Sequence, residues 1–281
     1  MDSARASRRA RRGGAAIGFA AAAVGAAVLV NRLAGKPVPF LRWSVLRFLL
    51  SGRRLLREGQ VGDGREEALA RHVATAPAGD IDAVIAAIDD FARHTSFLMN
   101  IGDEKGVFLD DAVRRARPHV LLELGAYCGY SALRAIRAAP PDAHLYSVEI
   151  SAANADVARR VWAHAGVADR ITAVVGSIGD GGRTVEGLGF DSGTVDFVFL
   201  DHVKSSYLPD LQAIIDADWL HPGSVALADN VRIPGAPDYL AYMRRTEGME
   251  WRTTEHRAHV EYQRLLPDLV LESTYLGAGD E

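Results

Sequence analysis

LLELGAYCGYSA, residues 121–132, is the stretch whose reading decides the fold. It begins inside an apolar run of strand length, 120–124. It then passes through two glycines, Gly125 and Gly129, and enters a helical stretch at Tyr130. A strand, a glycine turn and a helix in that order bring backbone close to a ligand and aim helix N–H groups at it. The turn reads G-x-x-x-G, not the G-x-G-x-x-G of dinucleotide enzymes. A carboxylate, Glu123, stands just before the first glycine. That pattern favours a ligand with an ammonium group over one with a pyrophosphate.

The same alternation continues outward. Strand-like apolar runs fall at 145–150, 171–176, 195–201 and 224–229, with helical spacing at 130–138, 152–165, 207–217 and 236–245. Two further helices are expected upstream, over 65–76 and 81–94. Near-continuous apolar strands alternating with helices predict a parallel sheet covered on both faces. Residues 250–256 and 269–275 are expected to close one edge as an antiparallel pair. The seven glycines between Gly176 and Gly193 predict a flexible surface connection. No internal repeat is present.

In such a sheet, ligands bind beyond the carboxyl ends of the strands, at the switch in strand order. The second strand ends at Glu149, placed to accept hydrogen bonds from both hydroxyls of a ribose. Glu123 and Glu149 together imply a nucleoside ligand without phosphate, which S-adenosylmethionine fits. The fourth strand ends in Asp201-His202-Val203-Lys204 and the fifth in Asp229-Asn230. Two carboxylates and an amide oxygen make a hard oxygen site suited to Mg²⁺. Such a cation acidifies a hydroxyl beside it and favours the uncharged form of a nearby amine. Lys204 is therefore the candidate general base.

The charge is divided along the chain. Residues 1–60 carry 12 Lys+Arg against 2 Asp+Glu, whereas the remainder carries 20 against 34. An acidic body excludes nucleic acid as a partner, and the basic N-terminal arm suits a membrane surface. Residues 13–30 form an uncharged run of 18, long enough as a helix to approach the hydrocarbon thickness. Three readings stay open for it: a membrane anchor, a cleaved signal peptide, or an Ala-rich tail. Residues 40–57 alternate Leu, Phe and Trp with Arg and predict a basic interfacial helix. The expected organisation is this segment, 1–60, followed by a catalytic domain over 61–281. The expected location is membrane-associated with the catalytic domain in the cytoplasm, or cytoplasmic throughout. The single cysteine, Cys128, excludes an intrachain disulfide.

Five stretches resemble the catechol O-methyltransferase family: MNIGDEKG (99–106), LLELGAYCGYSA (121–132), FLDHVKSSYLPD (199–210), LADNVRIPGAPD (227–238) and VEYQ (260–263). Their order and spacing hold from about residue 64 to 277. The resemblance implies a Rossmann-like class I methyltransferase fold with a seven-stranded, mostly parallel sheet. It implies S-adenosylmethionine and Mg²⁺ as cofactors and a small diol or phenol as substrate. Asp201, Asp229 and Asn230 would bind the metal, Lys204 would take the proton, and Glu261 would hold the second hydroxyl. Met99, Ile101, Glu123, Gly125, Tyr127, Tyr130 and Ser131 would surround the methionine part of S-adenosylmethionine. Glu149 would hold the ribose, with Ile150 and His202 beside the adenosine.

Three positions depart from that family. Two tryptophans that line its catechol slot fall on Phe97 and Val203, while Pro234 keeps its place. A Ser-Gln pair at the adenine falls on Ile178-Gly179. A wider, less aromatic acceptor pocket is expected, and either a weaker cofactor affinity or backbone contacts to the adenine. Larger phenolics such as caffeoyl esters are the rival substrates. A membrane-attached binding protein without catalysis is the rival class. The oligomeric state is left open.

Overall fold

The structure is a computed structural model that describes residues 43–51, 59–263 and 265–277. The chain divides into two units, 1–52 and 53–281. In the first unit the described element is helix α1, Trp43–Leu50, which falls inside the predicted interfacial helix. The run 13–30 lies outside the described residues. Among the described residues no helix is long and apolar enough to cross a membrane.

The second unit holds the remaining elements. Helices α2 (Arg65–Val73), α3 (Ile81–Asp90) and α4 (Gly102–Ala116) come first. Then follow β1 (Val120–Leu124), α5 (Tyr130–Ala138), β2 (His144–Glu149), α6 (Ala152–His164) and β3 (Ile171–Val175). Helix α7 (Arg183–Leu188), β4 (Val195–Leu200), α8 (Tyr207–Asp216), β5 (Leu220–Ala228) and α9 (Pro237–Arg245) continue the chain. The long strands β6 (Trp251–His259) and β7 (Pro267–Tyr275) end it.

The seven strands order as β3-β2-β1-β4-β5-β7-β6. The first five pair parallel, and β7 and β6 close the edge antiparallel. This is the expected fold. Strand order reverses between β1 and β4, which places the switch point beside Gly125. The strand parity explains the two cores. Leu121, Phe197, Phe199, Val225 and Leu227 face one layer of helices. Leu122, Leu124, Val198, Leu200 and Ala226 face the other.

Two expectations are corrected. The glycine-rich connection contains helix α7, whose first turn Asp180 steadies: its carboxylate accepts from the Thr184 amide at 3.1 Å and hydroxyl at 2.8 Å. Residues 81–94 are not one α-helix. The α-helix stops at Asp90 and a π-helical turn, Phe91–Thr95, follows.

The turn after β1 is held by close packing. Gly129 has φ +85°, and a Cβ there would lie 2.4 Å from Trp162 Nε1. That indole donates to the Gly129 carbonyl at 2.9 Å. Gly129→Ala is therefore expected to destabilise the fold by at least about 2 kcal/mol. Urea unfolding followed by tryptophan fluorescence measures it, and an unchanged midpoint would contradict the packing argument.

Candidate active site

The sheet's own ladder aligns the strand-end residues. Gly125 N donates to Val148 O at 2.9 Å, Asp201 N to Leu124 O at 3.0 Å, and Asp229 N to Leu200 O at 3.0 Å. Each bond extends a parallel pairing by one residue. Gly125, Asp201 and Asp229 thus stand side by side at about the 4.8 Å strand spacing. The approach at Gly125 is closer still. With φ +101°, a Cβ there would sit 2.5 Å from the Asp201 carbonyl oxygen.

On the cofactor side, Glu123 is buried and faces Ser147 directly across the β1–β2 pair. Ser147 Oγ donates to Oε2 and Ser131 Oγ to Oε1. Burial pushes the Glu123 carboxyl up to about 7, although both hydroxyls pull it down. Glu149 accepts the Tyr127 and Ser151 amides, each at 2.8 Å, and burial raises its pKa against those bonds. Tyr127 takes φ +44°, and its hydroxyl donates to buried Glu66 at 3.0 Å. Tyr130 is fully inside the core. Its hydroxyl donates to Asp89 at 2.8 Å. His202 stacks on Tyr207 with centroids 5.0 Å apart and shares a 2.9 Å bond with Asp210 through Nε2. Its Nδ1 is buried without a hydrogen-bond partner among the described residues. Ile101 and Ile178 are buried, Met99 is half-buried, and Ile150 is 71% exposed.

On the acceptor side, Lys204 Nζ donates to Asp201 Oδ1 at 2.9 Å and to Tyr207 Oη at 2.6 Å. Tyr207 in turn donates to the Asp229 carbonyl at 2.9 Å. Asn230, at φ +54°, donates through Nδ2 to Glu261 at 2.9 Å and Asp268 at 2.8 Å. Fully buried Lys105 lies 2.8 Å from Asp229 Oδ1, 2.6 Å from Glu261 Oε1 and 3.0 Å from Asp268 Oδ2. Burial would lower the pKa of Lys105, but these three carboxylates outweigh it and hold it raised. Burial raises Asp229 to about 8, against the pull of Lys105, and also pushes Asp201 upward, against Lys204 and Lys105.

The residues fit a divalent cation in two respects. Neither carboxylate oxygen of buried Asp229 has a hydrogen-bond partner among the described residues, and Oδ2 also lies outside the ion pair that Oδ1 makes with Lys105. Asn230 spends its N–H donors on Glu261 and Asp268, which leaves its carbonyl oxygen for a ligand. Four carboxylates, Asp201, Asp229, Glu261 and Asp268, stand against two ammonium groups, Lys105 and Lys204, so with all ionised the cluster carries −2. No group of three or more His, Cys, Asp or Glu arranged to hold a metal occurs among the described residues. The set at issue contains two carboxylates and one amide.

The three aromatic-slot positions are partly or largely open to solvent. Phe97 is half-buried, with its carbonyl accepting Arg65 Nη1 at 2.6 Å; Val203 is 54% exposed, and Pro234 is exposed. Sequence reasoning missed Lys105, Asp268, Ser147 and Tyr207. Ser147 carried a usable signal, since β2 register opposite Glu123 follows from aligning the two apolar runs. Tyr207 lies only three residues past Lys204, whereas Lys105 and Asp268 depend on contacts across the closed fold.

A doubly wound sheet with paired acids at its switch point is the architecture of a Rossmann-like methyltransferase. The chain belongs to the O-methyltransferase family, whose profile matches residues 82–236. It is 63% identical over 229 residues to a probable O-methyltransferase of Mycobacterium tuberculosis, covering 80% of this chain and 98% of that one. It is 44% identical over 200 residues to catechol O-methyltransferase B of Danio rerio, covering 71% and 74%. The Mus musculus catechol O-methyltransferase is 38% identical over 220 residues, covering 78% and 82%. Among solved structures, the O-methyltransferase TomG of Streptomyces achromogenes, bound to S-adenosylmethionine, superposes with a TM-score of 0.57. That match is 24% identical and covers 69% of this chain and 89% of TomG, a likeness of fold. The protein is thus an S-adenosylmethionine-dependent O-methyltransferase, with catechol O-methyltransferases as clear relatives.

Proposed function

We propose that this enzyme methylates one hydroxyl of a catechol-like diol in a Mg²⁺-dependent reaction. The observation that carries the reading is the juxtaposition of Lys204, Asp201, Asp229, Asn230 and Glu261 in one linked cluster. Asp201, Asp229 and Asn230 would hold the cation. A divalent cation held there would supply positive charge that lowers the pKa of the reacting hydroxyl and stabilises its oxyanion. Lys204 Nζ takes the proton of the reacting hydroxyl, while Tyr207 Oη holds that amine from the side away from solvent. Glu261 accepts a hydrogen bond from the second hydroxyl. The oxyanion then attacks the sulfonium methyl in line, a C–O bond forms as the C–S bond breaks, and S-adenosylhomocysteine leaves. Most of the gain would come from orientation, worth roughly 7–11 kcal/mol in favourable cases.

The cofactor contacts yield a pH prediction. The ammonium group of S-adenosylmethionine is attracted to ionised Glu123 and not to its protonated form. Burial raises the Glu123 carboxyl to about 7, so cofactor affinity is expected to tighten as pH rises from about 6 to 7, before the cofactor's own α-amino group loses its proton near 8. Glu123→Gln removes that dependence. Calorimetric titration across this range tests it, and a flat wild-type profile would count against Glu123 as the ammonium partner.

Methylation of a small catechol by the full chain, with and without EDTA, tests the reading itself. EDTA-sensitive product supports it. Turnover of bulky caffeoyl esters but not of small catechols would favour the wider-pocket reading that Phe97 and Val203 permit.

As proposals on the chain's organisation, residues 1–60 form the basic surface segment and 61–281 the catalytic domain. Exposed Trp43 and Leu50 on α1 give that segment apolar groups for a membrane surface.

A further inference from the structure

We propose that Lys105 is a positioning residue, fixing which oxygen each of three acceptor-side residues presents to the site. The inference rests on the diol reading above. Lys105 enters from helix α4, and its partners come from three other places: Asp229 after β5, Glu261 in the β6–β7 connection, and Asp268 in β7. An ammonium has three donors and no acceptor. Here Nζ donates to Glu261 at 2.6 Å and Asp268 at 3.0 Å and forms an ion pair with Asp229 Oδ1 at 2.8 Å, so three carboxylates surround it.

The consequence is one of orientation. Lys105 Nζ forms an ion pair with Oδ1 of Asp229; neither oxygen has a hydrogen-bond partner among the described residues, and Oδ2 is the one this ion pair leaves open. Lys105 and Asn230 both reach Oε1 of Glu261, so Oε2 is left for an acceptor hydroxyl. Asp268 Oδ2 receives Lys105 and Asn230 Nδ2 together, and its Oδ1 receives the Ile233 amide at 3.0 Å. Asp268 thereby holds the Asn230 amide with its carbonyl outward. One buried ammonium thus sets the face shown by Asp229, Asn230 and Glu261. Stability alone is a weak reason for this arrangement, because apolar residues of similar volume commonly replace buried ion clusters at no loss.

The test is Lys105→Met in the full chain, with Mn²⁺ binding to the metal-free enzyme followed by EPR and S-adenosylmethionine binding by calorimetry. Turnover and the ratio of the two monomethyl products are measured on a dihydroxybenzoate. Both affinities are expected to stay within about tenfold of wild type, while kcat falls about 100-fold and the product ratio moves toward unity. A kcat within about threefold of wild type overturns the proposal, as does a loss of S-adenosylmethionine affinity as large as the loss of kcat. Should Lys105→Met fail to fold, Asp268→Asn decides. It keeps the side-chain volume and is expected to lower kcat about tenfold with the same shift in product ratio, and an unaltered ratio at wild-type kcat refutes the idea. Diol turnover by wild type beside an unimpaired variant sinks this inference alone. A wild type that methylates no diol sinks the functional reading first, and this one with it.

Discussion

Lys204→Met lowers kcat by about 10²- to 10⁴-fold, the range of a lost general base, while S-adenosylmethionine affinity stays near wild type. The expectation follows from position. The amine is tied to Asp201 and Tyr207 on the acceptor side, and none of its described hydrogen bonds reaches Glu123, Glu149 or Ser131. Methionine keeps an unbranched chain one atom shorter and removes the donor and the proton acceptor. Lys204→Arg is not expected to rescue, because a guanidinium does not give up its proton in this pH range. Single-turnover methyl transfer with calorimetric cofactor binding separates the two quantities. Undiminished turnover in Lys204→Met would assign the proton to another group.

Chelation is the second large effect. EDTA is expected to lower turnover by about 10³-fold or more, because a bound cation supplies several kcal/mol of charge stabilisation. Adding Mg²⁺ back restores it. Asp229→Asn is expected to reproduce the loss without rescue at ordinary Mg²⁺ concentrations. The asparagine keeps the shape of a buried side chain but removes one of the two charged ligands. Full activity after exhaustive chelation would leave orientation by Lys204 and Glu261 as the only support for the diol, and the metal reading would fall.

The sequence displays some of this site and hides the rest for a physical reason. Glu149, Asp201 and Asp229 are legible because each ends an apolar run, and parallel strands bring such ends to one edge. The antiparallel closure by β6 and β7 is legible from two late strand-like runs. Helix α4 was not picked out as an element. GDEKGVFLDDAVRRA is rich in charge, and the apolar positions Leu109, Ala112 and Val113 form only a narrow stripe. Lys105 belongs to that helix and reads locally as one more solvated charge. Its burial follows from carboxylates 124 to 163 positions away in the chain, which no local spacing announces. Asp268 is hidden in the same way, inside a strand whose neighbours are apolar.

The ladder bonds that run one residue past β1, β4 and β5 also bear on how such an enzyme changes over generations. They bind Asp201 and Asp229, the proposed cation-holding acids, to the sheet, where a shift in one strand would disturb both. Phe97, Val203 and Pro234 sit on connections outside that ladder, with Val203 and Pro234 open to solvent. If these three positions line the acceptor slot as proposed, substitution there would alter which acceptors are taken and leave the strand-end geometry unchanged. A designer seeking new regiochemistry would randomise those three positions and leave the strand termini alone.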